Sequence, residues 1–280
     1  MNFWIPSGRN FRVLEPGWPL FFRVKGGIRA IGGFGLFVHF TRLPLWLAWE
    51  AFGDANGAPD LETLVQRVAQ YRTAAERRQE TLRAEIGCIV LEEAVFFGEE
   101  DFVAEPRDWA PGIMSGKAYP LLEGEGARIW RECLDRLRHS SRLVPVEGEV
   151  VPPPPDRVEI GAGAFRTLLL DAYGRACAVT EEHSLPVLDA VVIRPQEEGS
   201  QYEVSNGIVL RSDLHRLFDT GYVTITPDYR LEVSRRLHED WRNGRSYYPL
   251  HGRRIRVPEE APLRPDPQAL RWHNEAVFLG

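Results

Sequence analysis

Side chains able to do chemistry are unevenly spread along this 280-residue chain. The three cysteines, Cys88, Cys133 and Cys177, are far apart and odd in number, so the sequence offers neither a disulfide framework nor a paired-cysteine zinc clamp. Any metal must therefore be held by His, Asp, Asn or Glu. His251 and His273 have no partner at ligand spacing and read as structural. Arginine supplies almost all the positive charge, Lys25 and Lys117 being the only lysines, and residues 230–256 concentrate Arg235, Arg236, Arg242, Arg245, Arg253, Arg254 and Arg256. Forked guanidinium groups suit phosphate, although a solvated face in an arginine-rich protein explains each of them equally well.

These residues need elements to position them. A chain of this length is too long for one average core and comfortable for two. The clearest punctuation is a valine followed by four prolines at 151–155, an extended spacer that places a linker at 146–157, a first domain at 1–145 and a second at 158–280 with an Arg-rich extension. In the first domain, residues 20–24, 35–40 and 88–97 read as strands, and 60–85 as one long helix with Asp60 as N-cap. A second helix over 125–138 packs its apolar stripe on the sheet. In the second domain the order is a helix over 164–172, a strand over 187–193, a polar loop over 194–204, a helix from Ser212, and a hairpin of 222–225 with 231–234. The expected class is α+β. A formal charge of −6 argues against a generally basic, non-specific nucleic-acid binder and leaves a local basic face open. The first ten residues lack a basic segment followed by an apolar run, and the most apolar stretch, 30–40, is rich in Gly and interrupted by His39. The expectation is a soluble, cytoplasmic protein with no membrane partner.

The second domain resembles the HNH (ββα-metal) endonucleases, in the branch found among restriction enzymes. The resemblance rests on Cys177-Ala-Val-Thr180, on the run Val187-Leu-Asp-Ala-Val-Val-Ile-Arg-Pro195, and above all on fifteen consecutive residues, Ser205-Asn-Gly-Ile-Val-Leu-Arg-Ser-Asp-Leu-His-Arg-Leu-Phe-Asp219. It implies phosphodiester hydrolysis, which needs a metal to neutralise phosphate charge, a water beside the phosphorus and a base to deprotonate it. By position, the resemblance makes Asn206 the residue that fixes the loop between strand and helix, and His215 a ligand for a divalent ion, magnesium or manganese. Asp189 and Asp213 become further metal or supporting candidates, and Arg211 a phosphate clamp. Plainer readings stand beside these: His215 as a packing residue, Asp213 as a favourable charge near a helix start, and Asn206-Gly207 as an ordinary turn. The chain departs from the family where the base histidine is expected, within A-H-I, because Val192 occupies that position. A valine cannot accept a proton, and losing a positioned base costs about 10²–10⁴ in rate. His183, in the preceding loop, is the one nearby substitute.

The first domain resembles the PUA-like superfamily, whose EVE and SRA members read modified bases in DNA. The opening Asn2-Phe3-Trp4 and a β-rich unit loaded with aromatics carry this likeness. A flipped base needs aromatic faces to stack on and polar groups to read its edge, and Trp4, Phe34, Phe37, Trp109 and Tyr119 are candidates for the faces. Ser115, Gly116, Lys117 and Tyr119, near Trp109, form the candidate pocket rim, although packing in the core accounts for most of the aromatics. The resulting expectation is a modification-dependent restriction endonuclease acting on double-stranded DNA, with a homodimer favoured if both strands are cut. A catalytically inactive modified-DNA-binding protein of the same descent is the alternative. A partner-binding protein unrelated to nucleic acid comes third, because it leaves the Arg-rich tail and His215 without a role.

Overall fold

Ala30–Pro44 (β3) organises the first unit, Met1–Glu159, of the computed structural model, which describes residues 1–6, 10–72, 83–110, 113, 116–139, 160–195 and 202–280. The expected linker at 146–157 and Ser115 lie outside these residues. β3 pairs antiparallel with Glu85–Phe96 (β4) on one side and Pro19–Arg23 (β2) on the other, while Asn2–Ile5 (β1) adds to β4 and the short Val103–Ala104 (β5) to β3. Gly33 has φ of 151°, and a Cβ there would sit 2.1 Å from the carbonyl oxygen of Val95, so only glycine fits this close approach of β3 to β4.

Leu45–Phe52 (α1) follows β3 directly, and Leu61–Gln70 (α2) starts where the Asp60 carboxylate accepts the Thr63 N–H at 2.7 Å. The long helix expected over 60–85 is corrected: α2 ends at Gln70 and Glu85 already belongs to β4, whose β-branched and apolar run buries Ile86 and Ile89–Leu91. Gly124–His139 (α3) lays Ile129, Trp130, Cys133 and Leu137 against Ile31, Phe34, Leu36 and Val103 of the sheet, with the Trp130 ring edge-on to Phe34 at 5.1 Å. A second cluster gathers around Phe37, Ile89 and Leu91.

The second unit, Ile160–Gly280, is built on a two-stranded hairpin of Leu188–Val192 (β6) and Gly207–Arg211 (β7), antiparallel, with Asp189 opposite Leu210 and Val192 opposite Gly207. Ala162–Ala172 (α4) presses Phe165 and Leu169 onto it: a Cβ on Gly207 would meet Phe165 at 2.7 Å and Leu169 at 2.9 Å. Gly207 has φ of −134°, so Asn206-Gly207 is no left-handed turn; the glycine opens an extended strand and admits α4. Ser212–Asp219 (α5) runs straight on from β7 and buries Leu214 and Phe218. Val223–Ile225 (β8) and Leu231–Val233 (β9) form the next hairpin, followed by Arg236–Trp241 (α6) and Pro267–Ala276 (α7).

α7 supplies a buried histidine. His273 is 2% exposed, its ring stacked on Phe218 at 3.6 Å, with Nε2 donating to the Phe218 carbonyl at 3.1 Å and Nδ1 accepting from the Thr224 hydroxyl at 2.8 Å. The neutral imidazole satisfies both ring nitrogens, and burial, which disfavours the charged form, pushes its pKa down to about 4. The unfolded chain takes up this proton near the ordinary value of 6.5 and the folded protein does not, so stability present above pH 6.5 is lost as pH falls towards 4. The full loss is about 3 kcal/mol. Urea melts between pH 7 and 4 should show it, and His273→Gln should flatten that part of the slope; an unchanged slope in the variant would assign it to other groups.

Candidate functional site

The β6–β7 hairpin ends in a clamp. The Asn206 side chain, 7% exposed, accepts the Arg194 N–H on Oδ1 at 3.0 Å and donates from Nδ2 to the Arg194 carbonyl at 2.8 Å, while the Ile193 N–H bonds to the Asn206 carbonyl at 2.9 Å. The carboxamide thus mimics one more ladder pair beyond Val192 and fixes the chain as it leaves β6. Only Asn supplies a donor and an acceptor at this reach; aspartate would set a carboxylate against the Arg194 carbonyl.

His215 lies on α5 between two carboxylates. Its Nδ1 is 3.0 Å from Asp189 on β6, and its Nε2 is 3.1 Å from Asp219 one helical turn further on. The hydrogen bonds to Asp219 and Asp189 raise its pKa above the ordinary histidine value, against the opposing effect of burial. The side chains are 29%, 33% and 57% exposed for His215, Asp189 and Asp219, which leaves them within reach of a ligand from solution. One imidazole and two carboxylates make a hard nitrogen–oxygen donor set of the kind magnesium and manganese accept. The carboxylates, however, meet opposite ring nitrogens, and among the described residues no group of three or more His, Cys, Asp or Glu converges to hold a metal. For both carboxylates and one ring nitrogen to share a cation, the ring or an aspartate must turn.

Other sequence candidates have partners of their own. Arg211 gives Nε and Nη2 to the two carboxylate oxygens of Asp213 at 2.6 and 2.8 Å, so one of its two forked edges is filled. Asp213 also accepts from Tyr247 at 3.0 Å, and Arg211 holds its pKa below the usual carboxylate range. Two residues from His215 on a helix, Asp213 points to a different side. Val192 is the last residue of β6, half-buried, and strand alternation sets it on the face opposite Asp189. His183 is exposed and its Nδ1 lies 3.1 Å from the Arg175 carbonyl. Arg236 pairs with Asp240 at 3.4 Å, whereas Arg235 is exposed and makes no ion pair among the described residues.

In the first unit, Trp4 is half-buried and donates its indole N–H to the Asn56 carbonyl at 3.1 Å, and Phe34 and Phe37 are core residues. Lys117 pairs with Asp108, which also accepts the Tyr119 hydroxyl at 2.8 Å, so the expected basic rim is charge-balanced. Trp109 is half-buried with the Arg23 guanidinium 5.3 Å from its ring centre.

Two site residues escaped sequence reasoning. Asp219 was legible: an aspartate four places after a helical histidine shares its face. Tyr247 was not, because it reaches Asp213 from 34 residues away with no motif to mark it.

No curated protein matches the chain. Residues 177–226, which contain both strands of the hairpin, the Asn206 clamp and α5 with His215, match the sequence model of the HNH endonucleases. HNH domains act on DNA, generally with a divalent metal, and the second unit of this chain carries a domain of the HNH endonuclease family.

Proposed function

We propose that the chain is a DNA endonuclease, or the descendant of one, whose metal-dependent centre is His215 with Asp189 and Asp219. The observation that carries this reading is the imidazole held between two carboxylates on the face of a ββα unit whose exit is clamped by Asn206. Those three residues would hold a divalent ion, magnesium or manganese, which when bound neutralises charge on the scissile phosphate. Asn206 fixes the end of β6, and Arg211 with Asp213 braces the head of α5 as a neutral pair. Val192 offers no base, so hydrolysis is slow unless another group takes the proton. The Val192 substitution also favours a second reading, a DNA-binding protein that no longer cuts. An assay of supercoiled and linear DNA with magnesium, manganese or EDTA separates the two: metal-dependent nicking supports the first, and binding without cleavage the second.

For the first unit the reading is a PUA-like recognition domain for modified bases, serving modification-dependent restriction, with two copies acting together when both strands are cut. Its support is Trp109, an aromatic left half-buried beside a guanidinium when Trp4, Phe34 and Phe37 are committed to packing. Trp109→Ala should weaken binding of cytosine-modified duplex by about 1–3 kcal/mol and of unmodified duplex less. Equal losses on both duplexes would return Trp109 to a structural role.

A further inference from the structure

Residues 227–280 follow the HNH-matching segment and, beside the packed β9 and α7, include the short helix α6 and the turn after it. α6 is anchored from several sides. Leu237 is buried, Asp240 accepts from Tyr222 at 3.0 Å, and the Tyr248 hydroxyl donates to the Ser234 carbonyl at 3.1 Å while accepting the His238 N–H at 3.0 Å. Gly244, with φ of 126°, lets the Tyr248 ring close on the turn, since a Cβ there would meet that ring at 2.6 Å. Tyr247 ties the same turn to Asp213 at the head of α5, the helix that carries His215.

What this scaffold holds up is Trp241, 66% exposed at the end of α6, followed by Arg242 in the left-handed conformation (φ 50°, ψ 27°), its N–H bonded to the His238 carbonyl at 2.7 Å. A non-glycine residue in that region is uncommon and costs conformational energy. Arg235, Arg242 and Arg245 are exposed and make no ion pair among the described residues, in contrast to Arg211, Arg230 and Arg236, each of which has an aspartate. An exposed indole within six residues of three exposed arginines that make no ion pair among the described residues matches one kind of partner best: a nucleic-acid strand, whose phosphates the arginines neutralise and whose base faces the indole covers.

We propose that Trp241, with Arg235, Arg242 and Arg245, forms a second DNA contact in which the indole stacks on an unpaired base and the arginines hold the flanking phosphates, so that the protein prefers DNA with an unstacked nucleotide. This rests on the reading of the chain as a DNA-binding protein.

The test is fluorescence anisotropy of the full chain in EDTA, with a labelled duplex carrying a one-nucleotide gap and its fully paired counterpart, each at two salt concentrations. Wild type should bind the gapped duplex about tenfold more tightly or better. Trp241→Ala should erase that preference and Trp241→Phe should keep part of it; Trp241 is on the surface, so both variants should melt like wild type. Arg242→Ala and Arg245→Ala should weaken both duplexes alike and each lower the salt slope by about one. Equal binding of the two duplexes by wild type, or a preference that survives Trp241→Ala, overturns the proposal. If paired DNA is bound and only the gap preference is missing, the stacking contact fails alone; if neither duplex is bound, the DNA-binding reading fails with it.

Discussion

Val192→His should raise divalent-dependent DNA cleavage at least about tenfold, and by as much as 10⁴ if the new imidazole is well placed. By the family resemblance position 192 is the place of the base; it is the last residue of β6 and half-buried, so a side chain there is open to water. The Asn206 clamp on Arg194 holds the backbone two residues on, which spares a base at 192 the entropy of being positioned. An imidazole there titrates near neutrality, as a base for water activation must. Cleavage is read on supercoiled plasmid with magnesium or manganese, and EDTA should abolish it. Side chain 192 leaves the strand on the face opposite Asp189, so the gain requires the imidazole to swing round the strand end; no gain from a folded variant would mean that it does not reach the His215 centre and that the family position does not carry the chemistry here.

In that background, His215→Ala should remove the gain entirely. The substitution takes away the one nitrogen donor of the centre and leaves Asp189 and Asp219 without the imidazole that joins them. With the ring gone the two carboxylates, one on the strand and one on the helix, have nothing to link them, and a divalent ion loses a ligand with them. His215 is part-exposed, so the variant should remain folded, which far-ultraviolet circular dichroism checks. Persistent metal-dependent cleavage would move the ion to another set of residues. Asp213 is the alternative sequence suggests, but its carboxylate is committed to Arg211 and Tyr247.

The elements were most legible where local pattern and tertiary need agree. The ββα order, the hairpin of β8 with β9, and the span of α3 follow from β-branched runs and a 3.6-residue apolar stripe. Asp60 marks the start of α2 as an N-cap should. The end of that helix was not legible, because the helical spacing of Leu61 to Tyr71 carries no stop signal before strand β4 begins at Glu85. α1 was missed for the opposite reason: Leu45–Phe52 is nearly all apolar, and without a polar face its period is invisible. At the site, motif position singled out Asn206 and His215, and the structure adds their partners, the Arg194 backbone for one and Asp189 with Asp219 for the other. Motif position could not show that Arg211 and Asp213 would spend their charges on each other, since that choice depends on side-chain packing and on a tyrosine from a distant turn. Nor could it show that the Lys117 rim is neutralised by Asp108.

The central claim, a divalent-ion centre at His215, is tested most directly by titrating manganese into the wild-type chain by calorimetry in buffers of different ionisation heat. A metal ligand must give up the proton that the two aspartates help the ring to hold, so the sign is fixed: affinity rises with pH through the raised pKa of His215 and falls below it. The account predicts one manganese ion per chain, proton release on binding, and loss of that site in both His215→Ala and Asp219→Asn. Manganese binding that is unchanged in His215→Ala, or that shows no proton release across the neutral range, would contradict it.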